Sequence, residues 1–455
     1  VQAEYRIDPR RIVLSGASMG GSGCYTIAAH HPDRFAGLAT ITGRVDYYLW
    51  MDVAREDLPP YKRAQIDADY VASMPENLKP MPIVAFHGAF DRGFVEQSKR
   101  LDELARLYEL DCRIVEFPYQ GHYIWSSSFR HPEFKRLIEE SRLAVKPTRV
   151  VFTTWSLKHP SAWWARVAAI ARRGDPARIE AEVLKGNRIR IKTSNVSAAT
   201  LGPCIPEIRA NEPVTIELGG RSFDREPGED GLIRLTFDQD GEPTGELRKT
   251  PDLCGPIREA WASPFVIVFP SGEDADSGRD REHASRIIRE WAAYARGTPR
   301  ICTDNGVTDR IVEEYNLILI GNTATNELTR RIAGDLPITI TAGEYGAGPH
   351  RYKAAGRGMQ CVYPNPLNPK RLVLLIDGVA WAPEVQVNHK LDFLPDYIIY
   401  TDETVRDGTW FPTNRAICAG YFDSAWNWCG ESCWCDEASV TEAEPHPAPA
   451  ARAAE

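Results

Sequence analysis

A serine lies in a glycine-rich stretch near the start of the chain, where Gly16, Ala17, Ser18, Met19 and Gly20 follow a short apolar run. Glycines on both sides of a serine allow the sharp strand-to-helix turn that lifts its hydroxyl above a sheet edge. The start of the following helix favours negative charge, and the backbone N–H of Met19 would face a developing oxyanion. Ser18 is therefore a candidate nucleophile and Met19 a candidate oxyanion donor, with an incidental serine in a plain turn as the alternative.

A serine nucleophile needs a base, and the base needs a carboxylate that orients it. Asp91 follows one apolar strand in HGAFDRGFV, and His122 follows the next in PYQGHYIW. Taken singly, Asp91 could cap the helix that begins after it, and His122 could be an ordinary loop histidine. Their order along the chain, each after a strand of its own, favours a Ser-Asp-His triad. His87 is a competing histidine, and we expect it to support the loop that carries Asp91.

Four apolar runs, separated by helical patterns, are expected to position these residues: RIVLS (11–15), AGLATIT (36–42), MPIVAFH (81–87) and CRIVEF (112–117). Strands that alternate with helices pair in parallel through right-handed crossovers. The carboxyl ends of parallel strands meet at one edge of the sheet, where open α/β sheets assemble their sites. The pattern therefore predicts an α/β layer with Ser18, Asp91 and His122 at one edge.

The stretch DPRRIVLSGASMGGSG, followed by HPDRFAG, PIVAFHGAFD and GH, resembles the catalytic domain of the prolyl oligopeptidase family and related esterases of the α/β-hydrolase superfamily. The resemblance covers residues 5 to about 140. It implies that Ser18 is the nucleophile, His122 the general base and acid, and Asp91 the acid that orients His122. It also implies acyl transfer through a covalent acyl-enzyme that water hydrolyses.

The number of strands before Ser18 differs from the pattern of this family. A complete α/β-hydrolase has several strands before its nucleophile and a loop that donates a second oxyanion N–H, whereas RIVLS is the first strand here. We expect the sequence to be a piece of a longer protein, and a domain without the second donor to lose about 2.7 to 4 kcal/mol of transition-state stabilisation. The chain begins with Val1 and has no signal segment, so localisation is not predicted and a secreted or periplasmic location stays open.

Changes in the sequence pattern divide the chain into four regions. Residues 1–148 are predicted to form the α/β-hydrolase domain. Short alternating strands fill residues 149–258, where Ile189 and Ile191 would face inward, which predicts a β-rich, sandwich-like region. Residues 259–436 return to alternating strands and helices, which predicts a second doubly wound, flavodoxin-like α/β domain. Residues 437–455, rich in Ala, Pro and Glu, are expected to be a disordered tail.

Three aromatic residues after the second strand, Tyr47, Tyr48 and Trp50, are candidates for the walls of a substrate pocket. Ordinary core packing of a helix is an equally good interpretation. Farther along, the glycine-rich residues 342–358 are expected to form a surface loop.

Four of the ten cysteines crowd the C-terminal end, namely Cys418, Cys429, Cys433 and Cys435. Their spacing matches no familiar pattern of metal ligands, so we expect free thiols or a disulfide, and neither a metal nor another cofactor.

The composition narrows the choice of partners. The 455 residues carry a formal net charge of -9, and the 26% of charged residues are mixed in sign, which argues against a nucleic-acid surface. No run of about 18 or more apolar residues occurs, so no membrane-spanning segment is expected. The oligomeric state is not predicted.

These features together predict a serine hydrolase, with a prolyl oligopeptidase-like serine peptidase acting on a peptide as the first hypothesis. A carboxylesterase of the same superfamily, acting on an ester, is the alternative within the enzyme class. A non-catalytic binding or scaffold protein with a hydrolase remnant is the alternative outside it.

Overall fold

The computed structural model describes residues 4–144, 146–237, 247–382, 390–402 and 416–435. The chain divides into two compact units, the first comprising Val1–Cys254 with Asp423–Trp426 and the second comprising Gly255–Phe422 with Asn427–Glu455. The tail expected for residues 437–455 lies outside the described residues. Within the described ranges, no helix combines the length and the apolarity that crossing a bilayer requires.

The first unit begins with a sheet of four parallel strands in the order β1, β2, β3, β4. The strands are β1 Val13–Ala17, β2 Gly37–Ile41, β3 Ile83–Gly88 and β4 Cys112–Phe117. The helices are α1 Met19–His30, α2 Tyr47–Met51, α3 Pro60–Asp69, α4 Arg92–Tyr108, α5 Trp125–Arg130 and α6 Pro132–Glu140. This confirms the predicted partial α/β-hydrolase sheet. The strand β1 continues past the predicted end because Gly16 and Ala17 still pair with β2.

The inner strands of this sheet are buried on both faces. Along β2, Leu38 faces one core while Ala39 and Ile41 face the other, because successive side chains of a strand point to opposite faces. Helices α1 and α4 cover the first core with side chains such as Ala28 and Leu101, and α6 covers the second. Burial on both faces explains the nearly continuous apolar runs, and it leaves the loops beyond the strand ends for polar groups.

The β-rich region that follows has two sheets, in the orders β12, β11, β9, β8, β5 and β13, β10, β7, β6. Its strands are β5 Arg149–Thr154, β6 Ser161–Ala162, β7 Ala165–Ile170, β8 Ala177–Leu184, β9 Arg188–Ser194, β10 Val196–Leu201, β11 Val214–Leu218, β12 Arg221–Arg225 and β13 Ile233–Thr236. Both sheets contribute to one apolar core, in which Ile189 and Ile191 are buried as predicted. The β-rich prediction is confirmed, with one parallel pair, β9 and β11, among the antiparallel ones.

A short segment near the C-terminus completes the first unit. The backbone N–H of Ile170 donates to Ser424 Oγ at 3.1 Å, and the backbone N–H of Lys249 donates to the Ser424 carbonyl at 2.9 Å. The Lys249 ammonium lies 4.5 Å from the centre of the Trp426 ring, which is fully buried. Residues distant in sequence therefore close this unit.

The second unit contains an eight-stranded sheet in the order β15, β14, β16, β21, β20, β22, β23, β24 and a three-stranded sheet β17, β18, β19. Its strands are β14 Phe265–Phe269, β15 Arg300–Thr303, β16 Asn316–Ile320, β17 Ile338–Ile340, β18 Glu344–Ala347, β19 His350–Lys353, β20 Arg357–Asn365, β21 Asn368–Gly378, β22 Tyr397–Thr401, β23 Cys418–Phe422 and β24 Trp428–Cys435. Its helices are α7 Glu259–Ala262, α8 Ala275–Ala295, α9 Asp309–Glu314 and α10 Glu327–Ile332.

Only one half of the large sheet follows the flavodoxin-like prediction. Strands β15, β14, β16 and β21 are parallel, whereas β21, β20, β22, β23 and β24 pair antiparallel. The surface loop expected for residues 342–358 is also corrected, because this stretch contains β18 and β19. Their Tyr345 and Tyr352 are buried and tie the hairpin to the interior.

Candidate active site

Ser18 lies in the turn between β1 and α1, in a backbone conformation that side chains rarely adopt. Its φ is 56° and its ψ is -117°. Its backbone N–H donates to the carbonyl of Ile41 at 2.8 Å, and its own carbonyl accepts from the N–H of Ser22 at 3.0 Å. A residue with a Cβ enters this region only when its surroundings impose the strain, and such strain clusters at functional sites.

The tight turn requires glycine at some positions, but only some of these are the positions that the motif suggests. A Cβ on Gly16 would lie 2.3 Å from the carbonyl oxygen of Gly20, so a side chain there would collide with the helix. A Cβ on Gly20 itself would have no atom within 4 Å. The second close approach is made by Gly21, whose Cβ would lie 2.8 Å from the Ile41 oxygen and 3.0 Å from Gly43. The motif predicts that a side chain would not fit at position 20. In the structure, the position without room for a side chain is Gly21 instead.

The structure brings Ser18, His122 and Asp91 into one hydrogen-bonded chain. His122 Nε2 lies 2.9 Å from Ser18 Oγ, and His122 Nδ1 lies 2.6 Å from Asp91 Oδ2. The side chain of His122 is 31% exposed and that of Asp91 is 16% exposed. A ligand can therefore reach the histidine, while the carboxylate behind it is largely shielded.

Contacts between two loops fix the distance from Asp91 to His122. The backbone N–H of Phe90 donates to the carbonyl of Gln120 at 3.0 Å. A Cβ on Gly88, at the end of β3, would lie 2.3 Å from the carbonyl oxygens of both Gln120 and Gly121. Only a residue without a side chain allows the loop after β4 to come this close to the loop after β3.

The side-chain contacts of Asp91 and His87 bear on the alternative roles of these two residues. Asp91 occupies the N-cap position of α4, but its side chain makes no capping hydrogen bond there. His87, expected to support the Asp91 loop, has a side-chain contact on the neighbouring strand β4. It lies directly across from Glu116 on β4, with Nε2 3.1 Å from a Glu116 carboxylate oxygen.

Met19 is the first residue of α1, and its side chain is 79% exposed. The first N–H groups of a helix have no acceptor within the helix, so the Met19 N–H is not used by the hydrogen bonds of α1. The N–H of Ser18 differs because Ile41 already accepts from it.

Of the three aromatic residues considered for a pocket, Tyr47 and Tyr48 have structural contacts. Tyr47 is buried, and its ring lies 5.4 Å from that of Tyr70. The Tyr48 hydroxyl donates to Asp67 Oδ1 at 2.9 Å. The pKa of this hydroxyl is raised, mainly by burial and secondly by the nearby Asp67 charge. Core packing, the second interpretation of this cluster, describes these two residues.

Trp50 differs from its neighbours because ring contacts connect it to the histidine. Its ring lies 5.1 Å from Phe94, and the Phe94 ring lies 5.0 Å from His122. Trp50 is 37% exposed. Phe94 was not predicted as a site residue, because its position in α4 is equally consistent with core packing.

Exposed aromatic side chains on the two loops were also missed. Phe90 is 69% exposed, Tyr119 86% and Tyr123 85%. Trp125 packs edge-on against His122 at 5.4 Å. These residues stand in the same motifs as Asp91 and His122, so the high aromatic content of those motifs was the available signal.

A group of potential metal ligands lies in the second unit. A disulfide joins Cys418 and Cys435, whereas Cys429 and Cys433 are free cysteines. Within the described residues, His350, Cys433 and Cys435 form the group whose ligating atoms all lie within 4.8 Å of one another. His350 was not considered from the sequence, because it is far from the cysteines along the chain.

The similarity to known proteins falls on the part of the chain that carries Ser18, Asp91 and His122. Residues 1–140 match the family model of the prolyl oligopeptidase family. This segment is therefore similar to a family of serine hydrolases. The match confirms the resemblance predicted from the sequence, and the parallel sheet of this segment agrees with a partial α/β-hydrolase fold. No curated protein matches the chain.

Three solved structures illustrate the extent of the similarity. A thermostable esterase has 24% sequence identity and a TM-score of 0.24, covering 31% of this chain and 34% of that one. An S-formylglutathione hydrolase from Agrobacterium tumefaciens has 22% identity and a TM-score of 0.24, covering 31% and 53%. A Pyrococcus horikoshii acylaminoacyl peptidase has 15% identity and a TM-score of 0.23, covering 31% and 26%. The chain thus spans about a quarter to a half of these proteins.

Proposed function

We propose that the first unit is a serine peptidase in which Ser18 is the nucleophile, His122 the general base and acid, and Asp91 the carboxylate that orients His122. The observation that carries the proposal is the continuous chain of two hydrogen-bond distances, 2.9 Å from Ser18 Oγ to His122 and 2.6 Å from His122 to Asp91. A serine hydroxyl is a weak nucleophile at neutral pH, and this arrangement supplies the base that it needs.

In the proposed reaction, Ser18 Oγ attacks the substrate carbonyl carbon while its proton passes to His122 Nε2. The Nδ1–H of His122 donates to Asp91, which holds the tautomer and stabilises the imidazolium. The tetrahedral intermediate collapses as His122 gives the proton to the leaving amine, leaving an acyl group on Ser18. Water then repeats the sequence with His122 as base, releasing the acid and restoring the serine.

The oxyanion of this intermediate needs a hydrogen-bond donor, and we propose the N–H of Met19 for this role. The neighbouring N–H of Ser18 is directed at Ile41 and is 2.8 Å from its carbonyl oxygen. The Met19 N–H belongs to the first turn of α1, where the helix dipole also favours negative charge. Donors fixed before the reaction stabilise the oxyanion without reorganisation.

A peptide substrate is proposed because residues 1–140 match the prolyl oligopeptidase family model. We propose that Trp50 and the exposed Tyr123 contact the substrate beside His122, with the buried Phe94 packed against both Trp50 and His122. Such an apolar, aromatic wall accepts a peptide side chain or an acyl chain equally well, so a carboxylesterase is the alternative.

A fluorophosphonate probe tests the nucleophile, because it reacts with an activated serine and not with an ordinary one. We expect the full chain to be labelled, Ser18→Ala to lose the label, and Ser15→Ala to keep it. Ser15 is the matched control, an exposed serine on the adjacent strand β1. An unlabelled wild type, or equal labelling of Ser18→Ala, would overturn the proposal. Hydrolysis of peptide anilides and of acyl esters by the same preparation then separates peptidase from esterase.

A further inference from the structure

Three cysteines and a histidine meet where two hairpins of the second unit come together. Cys418 on β23 lies directly across from Cys435 on β24, and Cys433 lies across from Gly420. His350 begins β19 of the other hairpin. A Cβ on Gly348 would overlap the ring of Trp428 on β24, so the turn before His350 packs tightly on the strand that carries the cysteines.

The sulfur atoms of these cysteines lie nearly as far apart as the ligands of one metal ion. The Sγ atoms of Cys433 and Cys435 are 3.1 Å apart, and those of Cys418 and Cys433 are 3.8 Å apart. The ligating atoms of His350, Cys433 and Cys435 lie within 4.8 Å of one another. A tetrahedral zinc ion with Zn–S bonds of about 2.3 Å separates its sulfur ligands by about 3.8 Å. Small side-chain movements would therefore place one ion among the four groups.

Two buried hydrogen-bond donors beside Cys433 give a second, independent indication. The Tyr397 hydroxyl and the Trp428 indole N–H are both buried without a nitrogen or oxygen partner among the described residues. Both donors lie within interaction distance of the Cys433 sulfur. Buried donors normally have acceptors, and a metal-bound thiolate is a strong one. Donors of this kind are typical of the surroundings of zinc-bound sulfur.

We propose that His350, Cys418, Cys433 and Cys435 bind one zinc ion when the Cys418 to Cys435 disulfide is reduced. A thiol or phosphine reductant supplies the two electrons that cleave the S–S bond, which yields two thiols and the oxidised reductant. Zinc then binds three thiolates and the neutral imidazole with release of three protons. The disulfide and the metal exclude one another, because a disulfide sulfur has no thiolate to offer. This inference does not depend on the chemistry of Ser18.

Cobalt titration of the anaerobically reduced full chain tests the proposal, since tetrahedral thiolate-bound Co²⁺ has a near-ultraviolet charge-transfer band and intense visible bands. We expect saturation at one Co²⁺ per chain and displacement of the cobalt by Zn²⁺. Cys433→Ser should lose the charge-transfer saturation. Cys302→Ser should keep it, because this partly exposed cysteine lies on β15 at the opposite edge of the sheet.

Tyr397→Phe separates a positioning role from a structural one. The change removes only a hydroxyl, so we expect the Zn²⁺ affinity to fall by about 10-fold while the thermal unfolding of the chain is unchanged. An unchanged affinity would contradict the role given to this hydroxyl.

Iodoacetamide mapping of the wild type decides the question even if a variant fails to fold. Zn²⁺ should protect Cys433 and Cys435 of the reduced chain from alkylation, and it should leave the exposed Cys204 reactive. The chain with its disulfide intact should bind no stoichiometric zinc. Absence of a thiolate charge-transfer band, absence of protection at Cys433 and Cys435, or equal binding by the oxidised chain would each overturn the proposal.

Discussion

Replacement of Gly88 by alanine tests whether the spacing of the two loops sets the geometry of the proposed triad. The added Cβ would lie 2.3 Å from the carbonyl oxygens of Gln120 and Gly121. Both oxygens belong to the loop that carries His122, and neither is the flexible end of a side chain. To reach ordinary van der Waals contact, that loop must move by about 1 Å.

A displacement of about 1 Å would separate His122 from Ser18 or from Asp91, and errors of this size cost about 100-fold in rate. We therefore expect kcat/KM of Gly88→Ala to fall by about 100-fold, equivalent to about 2.7 kcal/mol of transition-state stabilisation. Overpacking should also lower the free energy of unfolding by about 1 to 3 kcal/mol. The assay is hydrolysis of an activated acyl ester by the full chain, with urea unfolding measured on the same samples.

Gly121→Ala is the matched control, since Gly121 lies in the same loop but a Cβ there would meet nothing within 4 Å. Neither Gly88 nor Gly121 has a left-handed φ, so backbone strain does not distinguish the two substitutions. We expect Gly121→Ala to keep nearly full activity. Unchanged kcat/KM in a folded Gly88→Ala variant, or an equal loss in Gly121→Ala, would refute the reasoning.

Further predictions concern the carboxylate, the aromatic residues and acid stability. Asp91→Asn should lower kcat by about 10⁴-fold through the wrong tautomer of His122, and a loss below about 10-fold in single-turnover acylation would contradict its role. Trp50→Ala should raise KM about 10-fold at constant kcat, whereas Tyr48→Phe should leave both constants unchanged and destabilise the fold by about 1 kcal/mol; the opposite pattern would exchange their roles. Burial lowers the pKa of His159 from 6.5 to about 3. The unfolded chain then binds a proton that the folded chain does not, so stability falls as pH drops from about 6.5 to 3. Urea unfolding of His159→Gln should show a smaller decrease in the free energy of unfolding over this pH range than the wild type. An equal decrease in the two proteins would contradict the role given to His159.

The arrangement of Ser18, Asp91 and His122 could be anticipated because it depends on local rules. Each residue follows its own apolar run, and parallel strands bring their carboxyl ends to a common edge. Chain order and strand ends were therefore sufficient to nominate these three residues together. The burial of Ile189 and Ile191 followed from strand alternation in the same way.

Features that depend on the distance between separate loops could not be anticipated. The close approaches of Gly21 to Gly43 and of Gly88 to Gln120 exist only after the chain has folded, and no spacing rule encodes them. Trp50 and Tyr47 lie in the same short helix and differ only in the face of the helix that they occupy. Such a helix is too short for its apolar periodicity to be read from sequence.

The antiparallel half of the second sheet was missed for another reason. Its strand β20 contains an uninterrupted run of buried residues, and such runs also occur in parallel sheets. His350 was missed because metal ligands are found by local spacing, whereas this residue joins the cysteines through a separate hairpin.

The segment Asp423–Trp426 has a consequence for the order in which the protein folds. It belongs to the first unit, yet it is synthesised after most of the second. Ser424 accepts a hydrogen bond from Ile170, so that backbone N–H of the β-rich region lacks its partner until late in translation. Domains generally fold as the ribosome releases them, and here the β-rich region depends on a segment that is released much later. A stop codon placed just before residue 423 would therefore weaken the first unit, although nearly all of its residues precede the second unit in the chain.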